Sequence, residues 1–219
     1  MQMLKRLWTL LAFIVASTVA SLDKRGSSII VGYRSVSPDV AKQYHDAGNT
    51  LITPVLKNAP SSDQLGPGAY ISPTRGDWPL VPPDVWDCAI LADSSAWNIA
   101  NKAWVPKTAD DGCTALWYDK GGNGVSNRNA YLQSIGGAGF TTSNTVLFSQ
   151  ISGTGGEGEL PYKVQILIPK TLFGSSGGLN LNVQCAARSN QEGIDEISLY
   201  GDVDWYSWTN VKGTPQRAS

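Results

Sequence analysis

Residues Ser28–Gly48 read SIIVGYRSVSPDVAKQYHDAG, and the period of the apolar positions changes midway. Ser28–Tyr33 is a short, β-branched apolar run, as in a buried strand. Ser37-Pro38 then pairs an N-cap residue with proline at the first helical position. Val40, Ala41, Tyr44 and Ala47 recur at helical spacing, and Gly48 supplies the stop.

Working outward, Ala69–Ser72, Trp86–Ala92, Thr114–Tyr118, Thr145–Ile151, Tyr162–Ile168, Leu179–Ala186, Ile194–Tyr200 and Val203–Val211 read as strands. Ser94–Lys102 suits a helical turn, and Ser126–Ile135 a second helix. Strands dominate and the few helices fall in the N-terminal two thirds. The expected class is α+β with a mostly antiparallel sheet. The glycine segments are short, so they read as turns rather than tethers, and residues 26–219 are expected to form one domain.

Composition narrows the function. The chain has 219 residues, 16% charged, with 23 Gly, 12 Pro, eight Trp and a single histidine, His45. Glycine, proline and low charge argue against a coiled coil, and the aromatics argue against disorder. Net charge is −1, which disfavours nucleic acid as a partner.

Met1–Arg6 is basic, Leu7–Ala16 almost wholly apolar, and residues 17–21 mostly small, the order of a secretory signal. Lys24-Arg25 follows and resembles a dibasic site cut by kexin-type proteases of the fungal secretory pathway. Cleavage there removes four basic and one acidic residue, leaving 13 and 17 of the 17 and 18, a net −4. A secreted protein without membrane anchor is expected, and a monomer. Export permits disulfides. Two strands of one core can bring Cys88 and Cys185 together, and Cys113 is the second candidate for the bridge.

No G-x-S-x-G elbow, Walker loop or strand-borne G-x-G-x-x-G is present. The dispersed cysteines and lone histidine argue against a metal site. Glu157 with Glu159, and Asp195 with Glu196, are the acid pairs open to catalysis. The tryptophans could serve as a sugar platform, in a cell-wall carbohydrate-binding protein, if they line one exposed face.

Three segments, in order, resemble the core of the ADP-ribosyltransferase fold of secreted toxins. The first is Val31-Gly32-Tyr33-Arg34 with its Ser-Pro-capped helix. The resemblance implies that Arg34 holds the phosphates of NAD, a task suited to a bidentate cation. The second is Gln64-Leu65-Gly66-Pro67-Gly68-Ala69-Tyr70-Ile71-Ser72. It implies Tyr70 stacking on nicotinamide and Ser72 bracing the arginine. The third is Lys163-Val164-Gln165-Ile166-Leu167-Ile168-Pro169, with Gln165 where the family has its catalytic glutamate. An amide keeps the hydrogen bond to ribose but lacks the stabilising charge, at a cost of order 10²–10³ in rate.

In a second register, Glu196-Ile197-Ser198-Leu199-Tyr200-Gly201 resembles the segment after the catalytic glutamate of the cholera-toxin group. There Glu196 supplies the carboxylate, with Val146–Ser152 as the serine strand. The first register is preferred. The resemblance thus implies a split sheet binding NAD as substrate. As nicotinamide leaves, the ADP-ribosyl group would pass to an unknown acceptor, such as a host protein, or to water in an NAD glycohydrolase. A catalytically degraded effector or binding module is the alternative.

Overall fold

The computed structural model describes residues 27–55, 63–77, 84–174 and 177–217. The leader and the Lys24-Arg25 site lie outside the described residues. Among the described residues, seven strands form two sheets. Strands β1 (Ser28–Val36), β3 (Trp86–Asp93) and β7 (Asn182–Ala187) make an antiparallel sheet in the order β1-β3-β7. Strands β2 (Gly68–Ile71), β4 (Asn101–Trp104), β5 (Thr145–Gln150) and β6 (Val164–Pro169) make the other, in the order β2-β6-β5-β4. Among the described strand pairs only β4–β5 is parallel. Tyr33 and Ser72 exchange backbone hydrogen bonds of 2.8 and 2.7 Å, joining the sheets at one point. The class is α+β with two mostly antiparallel sheets.

Helix α1 (Pro38–Asp46) begins where its capping residues place it, with the Ser37 hydroxyl accepting from Val40 N–H. It buries Val40, Ala41 and Tyr44. Helices α2 (Ser94–Ile99), α3 (Gly124–Gly136) and α4 (Gln191–Ser198) follow. The largest core lies between the sheets and joins Val31, Ile71, Ile90, Phe148, Ile166 and Trp205. A second core covers the opposite face of the β2-β6-β5-β4 sheet, where Leu147 and Leu167 meet Leu132 of α3. A third packs Tyr33, Ala89 and Leu91 against Ile194 and Ile197 of α4.

Three expected strands are corrected. Ile194–Tyr200 lies across helix α4 and the residues after it. Asn190 caps this helix, Ile194 and Ile197 bury one face, and Asp195 and Glu196 face solvent. Ile194 and Ile197, three apart, fall on one face of a helix but would point to opposite faces of a strand. Val203–Val211 holds only a 3-10 turn at Trp205–Ser207. There ring packing replaces a ladder: Phe148 meets Trp205 at 5.8 Å and Trp208 at 5.9 Å between centroids. Thr114–Tyr118 makes one isolated bridge, Ala115 to Thr108. Cys88 and Cys185, directly opposed on β3 and β7, form the disulfide, and Cys113 is free and exposed.

Lys102 on β4 is buried, with its ammonium over the Trp97 ring and bonded to the carbonyls of Trp97 and Ala100. Burial pulls its pKa down to about 8. The unfolded chain therefore binds more protons between that value and the ordinary lysine value, so stability rises with pH. Unfolding in urea is expected to show a gain of about 2 kcal/mol from pH 7 to 9.5. The gain should vanish in Lys102→Met; an equal gain in that variant would refute the assignment.

Candidate functional site

Arg34 sits on β1 opposite Cys88. Side chains alternate along a strand, so it points to the face away from Tyr33 and Ser35, towards the core between the sheets. It is only partly exposed, yet it makes no hydrogen bond or ion pair among the described residues. Two groups stand in its electrostatic reach. One is Tyr44 of α1, whose buried hydroxyl has no hydrogen-bond partner. The other is Asp63. Burial raises the pKa of both, and the Arg34 charge opposes that rise. A guanidinium with idle donors beside an idle buried hydroxyl leaves polar capacity that a ligand could fill.

Tyr44 also lines a cavity of about 560 Å³ between α1 and the β1-β3-β7 sheet. Ala41, Trp86, Val183 and Cys185 give it apolar walls, with Lys42 and His45 also lining it. That volume lies in the range of small-molecule sites. Tyr44 therefore both lines the apolar cavity and feels the Arg34 charge. Tyr44 escaped the sequence reading because its helical spacing with Val40 marks it only as core.

The other expected site residues lie elsewhere. Tyr70 is opposite Leu167 and packs against the core under α3. Its hydroxyl accepts from Leu65 N–H at 2.8 Å and donates to the Gly66 carbonyl at 2.9 Å. Burial raises its pKa. Ser72 donates to the carbonyls of Thr74 at 3.0 Å and Tyr33 at 3.3 Å, and not to Arg34. Because Ser72 pairs with Tyr33, it shares the face away from Arg34.

Gln165 is buried opposite Ser149 and donates to its hydroxyl at 3.2 Å. Gln64 donates to the same hydroxyl at 3.2 Å, closing an internal chain of neutral groups. Thus Tyr70 and Gln165 lie on the face of the β2-β6-β5-β4 sheet turned away from the inter-sheet core, whereas Arg34 sits on β1 of the other sheet and points into that core. Glu196 is exposed on α4 and lines a different concavity of about 1050 Å³ with Asn182, Gln184 and Tyr200. Glu157 and Glu159 are exposed, and Glu159 accepts from Gly156 N–H at 2.9 Å.

Trp97, Trp104, Trp117 and Trp205 are buried, while Trp86 and Trp208 are half-buried. Aligned exposed tryptophans are absent among the described residues. No three His, Cys, Asp or Glu side chains gather as a metal-binding group among them. No helix there is long and apolar enough to cross a membrane.

Residues 63–214 match the model of the Family of unknown function (DUF5910), and the chain belongs to that family. No curated protein and no solved structure matches the chain.

Proposed function

We propose that this chain is a secreted NAD-binding protein on an ADP-ribosyltransferase-like split sheet, and that it holds the dinucleotide without transferring from it. The observation that carries the reading is Arg34: a partly buried guanidinium with no bonded partner among the described residues, within electrostatic reach of the unpartnered hydroxyl of Tyr44. A diphosphate satisfies both, and the apolar cavity past Tyr44 suits one ring of the dinucleotide. The position of Gln165 supports binding over catalysis. Its amide is buried and occupied by Ser149, on the face away from Arg34. Neither its charge nor its placement serves an oxocarbenium ion. The Cys88–Cys185 bridge accords with export.

Titration calorimetry with NAD, alongside an assay for released nicotinamide, tests this. Saturable binding without release is expected. Arg34→Ala should weaken binding about 10- to 100-fold, the worth of a hydrogen-bonded charge on phosphate. Tyr44→Phe should weaken it less, and Tyr70→Phe should leave it unchanged. No binding, or equal binding by Arg34→Ala, removes NAD from this site. Nicotinamide release abolished by Glu196→Gln would instead favour an active transferase or glycohydrolase in the second register.

A further inference from the structure

Across the β1-β3-β7 sheet from Arg34, a second cationic group is assembled on a buried carboxylate. Asp87 of β3 lies opposite Ser35 of β1 and Ala186 of β7, on the face that α4 covers. Its side chain is 1% exposed. Arg188 binds it in a fork, Nε to Oδ2 at 3.1 Å and Nη2 to Oδ1 at 3.0 Å. The Ser35 hydroxyl adds a 2.8 Å bond to Oδ1. This already neutralises the carboxylate.

Arg75 then adds a second guanidinium, Nη1 to Oδ2 at 3.2 Å, and is braced by Nε to the Ser198 hydroxyl at 3.0 Å. Within the cluster two positive charges share one negative charge. Arg75 Nη2 and Arg188 Nη1 donate to no protein atom among the described residues. Their side chains are 34% and 30% exposed, so a ligand can reach them. Gly76 puts no side chain over the Arg188 fork, where even a Cβ would stand 3.8 Å from Nη2. Of the nearby acids, Asp77 is paired with Lys163. Asp202 acts on the Tyr33 hydroxyl in the opposite sense to Arg75 and has no ion pair with either arginine among the described residues.

We propose that Arg75 and Arg188, pre-oriented by Asp87, form a binding site for a tetrahedral oxyanion, the phosphoryl or sulfuryl group of a larger ligand. Two fixed guanidiniums offer the paired donors that such a group accepts. Asp87 removes the rotamer cost that free arginines meet on binding. The site lies on the opposite face of the sheet from Arg34 and does not depend on the NAD reading.

Inorganic phosphate and sulfate, each titrated against chloride at constant ionic strength, are the probes. Perturbation of the Arg75 and Arg188 Nε–H resonances is the readout. Saturable perturbation is expected, at least tenfold weaker in Arg75→Gln and unchanged in Arg34→Gln. Arg75→Lys, which keeps charge but not the fork, should fall between. A stronger response to phosphate marks a phosphorylated ligand and a stronger response to sulfate a sulfated one; either supports the site. Neither anion exceeding chloride, or equal binding by folded Arg75→Gln and Arg75→Lys, overturns it.

Discussion

Replacing Cys88 and Cys185 together by alanine is expected to cost about 4 kcal/mol of stability and to lower the urea midpoint accordingly. The two cysteines are 97 residues apart, so the bridge closes a long loop in the unfolded chain. Loop-closure entropy grows with loop length, which puts this bridge near the upper end of the usual range. Its ends also lie in the core: Cys88 is fully buried in the central strand, facing Cys185 on the edge strand. Loss of the bridge releases β7, and with it the surface on which α4 packs. Reduction of the native protein should produce a similar fall. Cys113→Ser, at an exposed turn, should change stability by less than about 0.5 kcal/mol. Equal midpoints for the double variant and the native protein would show that the bridge does not hold the fold.

The second large effect is expected at Asp87. Asp87→Ala strips the shared partner from two guanidiniums and leaves them facing one another, at a cost of about 3–5 kcal/mol. Asp87→Asn retains shape and some hydrogen bonding, so its loss should be smaller. Adding Arg75→Ala to Asp87→Ala removes one of the unpaired charges and should recover part of the loss. That coupling, read from a double-mutant cycle in urea, separates a charge cluster from simple packing. The pH dependence has a definite sign. Burial alone raises the Asp87 pKa, but hydrogen bonds from Arg188, Ser35 and Arg75 outweigh it and hold the carboxyl below its ordinary value. The cluster therefore stabilises the fold above about pH 4, and that contribution is lost as pH falls through the depressed pKa. Asp87→Asn should flatten this acid limb; an unaltered limb would assign it to other carboxylates.

Much of the fold was legible because its signals are local. Ser37-Pro38 and Gly48 bound α1 as they would in an isolated peptide. The apolar runs at β1 and β6 are short and rich in β-branched residues, and those at β3 and β5 are short and apolar, lengths that fit strands better than helices. The misread segments share a cause. Around Ile197 and Trp205 the chain is apolar, but whether it pairs or coils depends on what it packs against. In α4 that is Tyr33 and Ala186, and in the last turn it is Phe148.

The candidate site was legible only in part. Arg34 stands out after a strand, but no local pattern marks Tyr44 as its neighbour. The Arg75–Asp87–Arg188 cluster left no trace at all, since its members are 12 and 101 residues apart.

The sequence by itself determined that this is an α+β chain, where its first helix starts and which cysteines could meet, because caps, periodicity and β-branching act within a few residues. Only the tertiary structure decided which face each polar side chain occupies. Strand alternation sets Arg34 and Ser35 on opposite faces, but pairing register and the covering helices decide what each face meets. That is why one face of β1 carries a cation that is unpartnered among the described residues and within electrostatic reach of Tyr44, while the other feeds a buried carboxylate and two arginines.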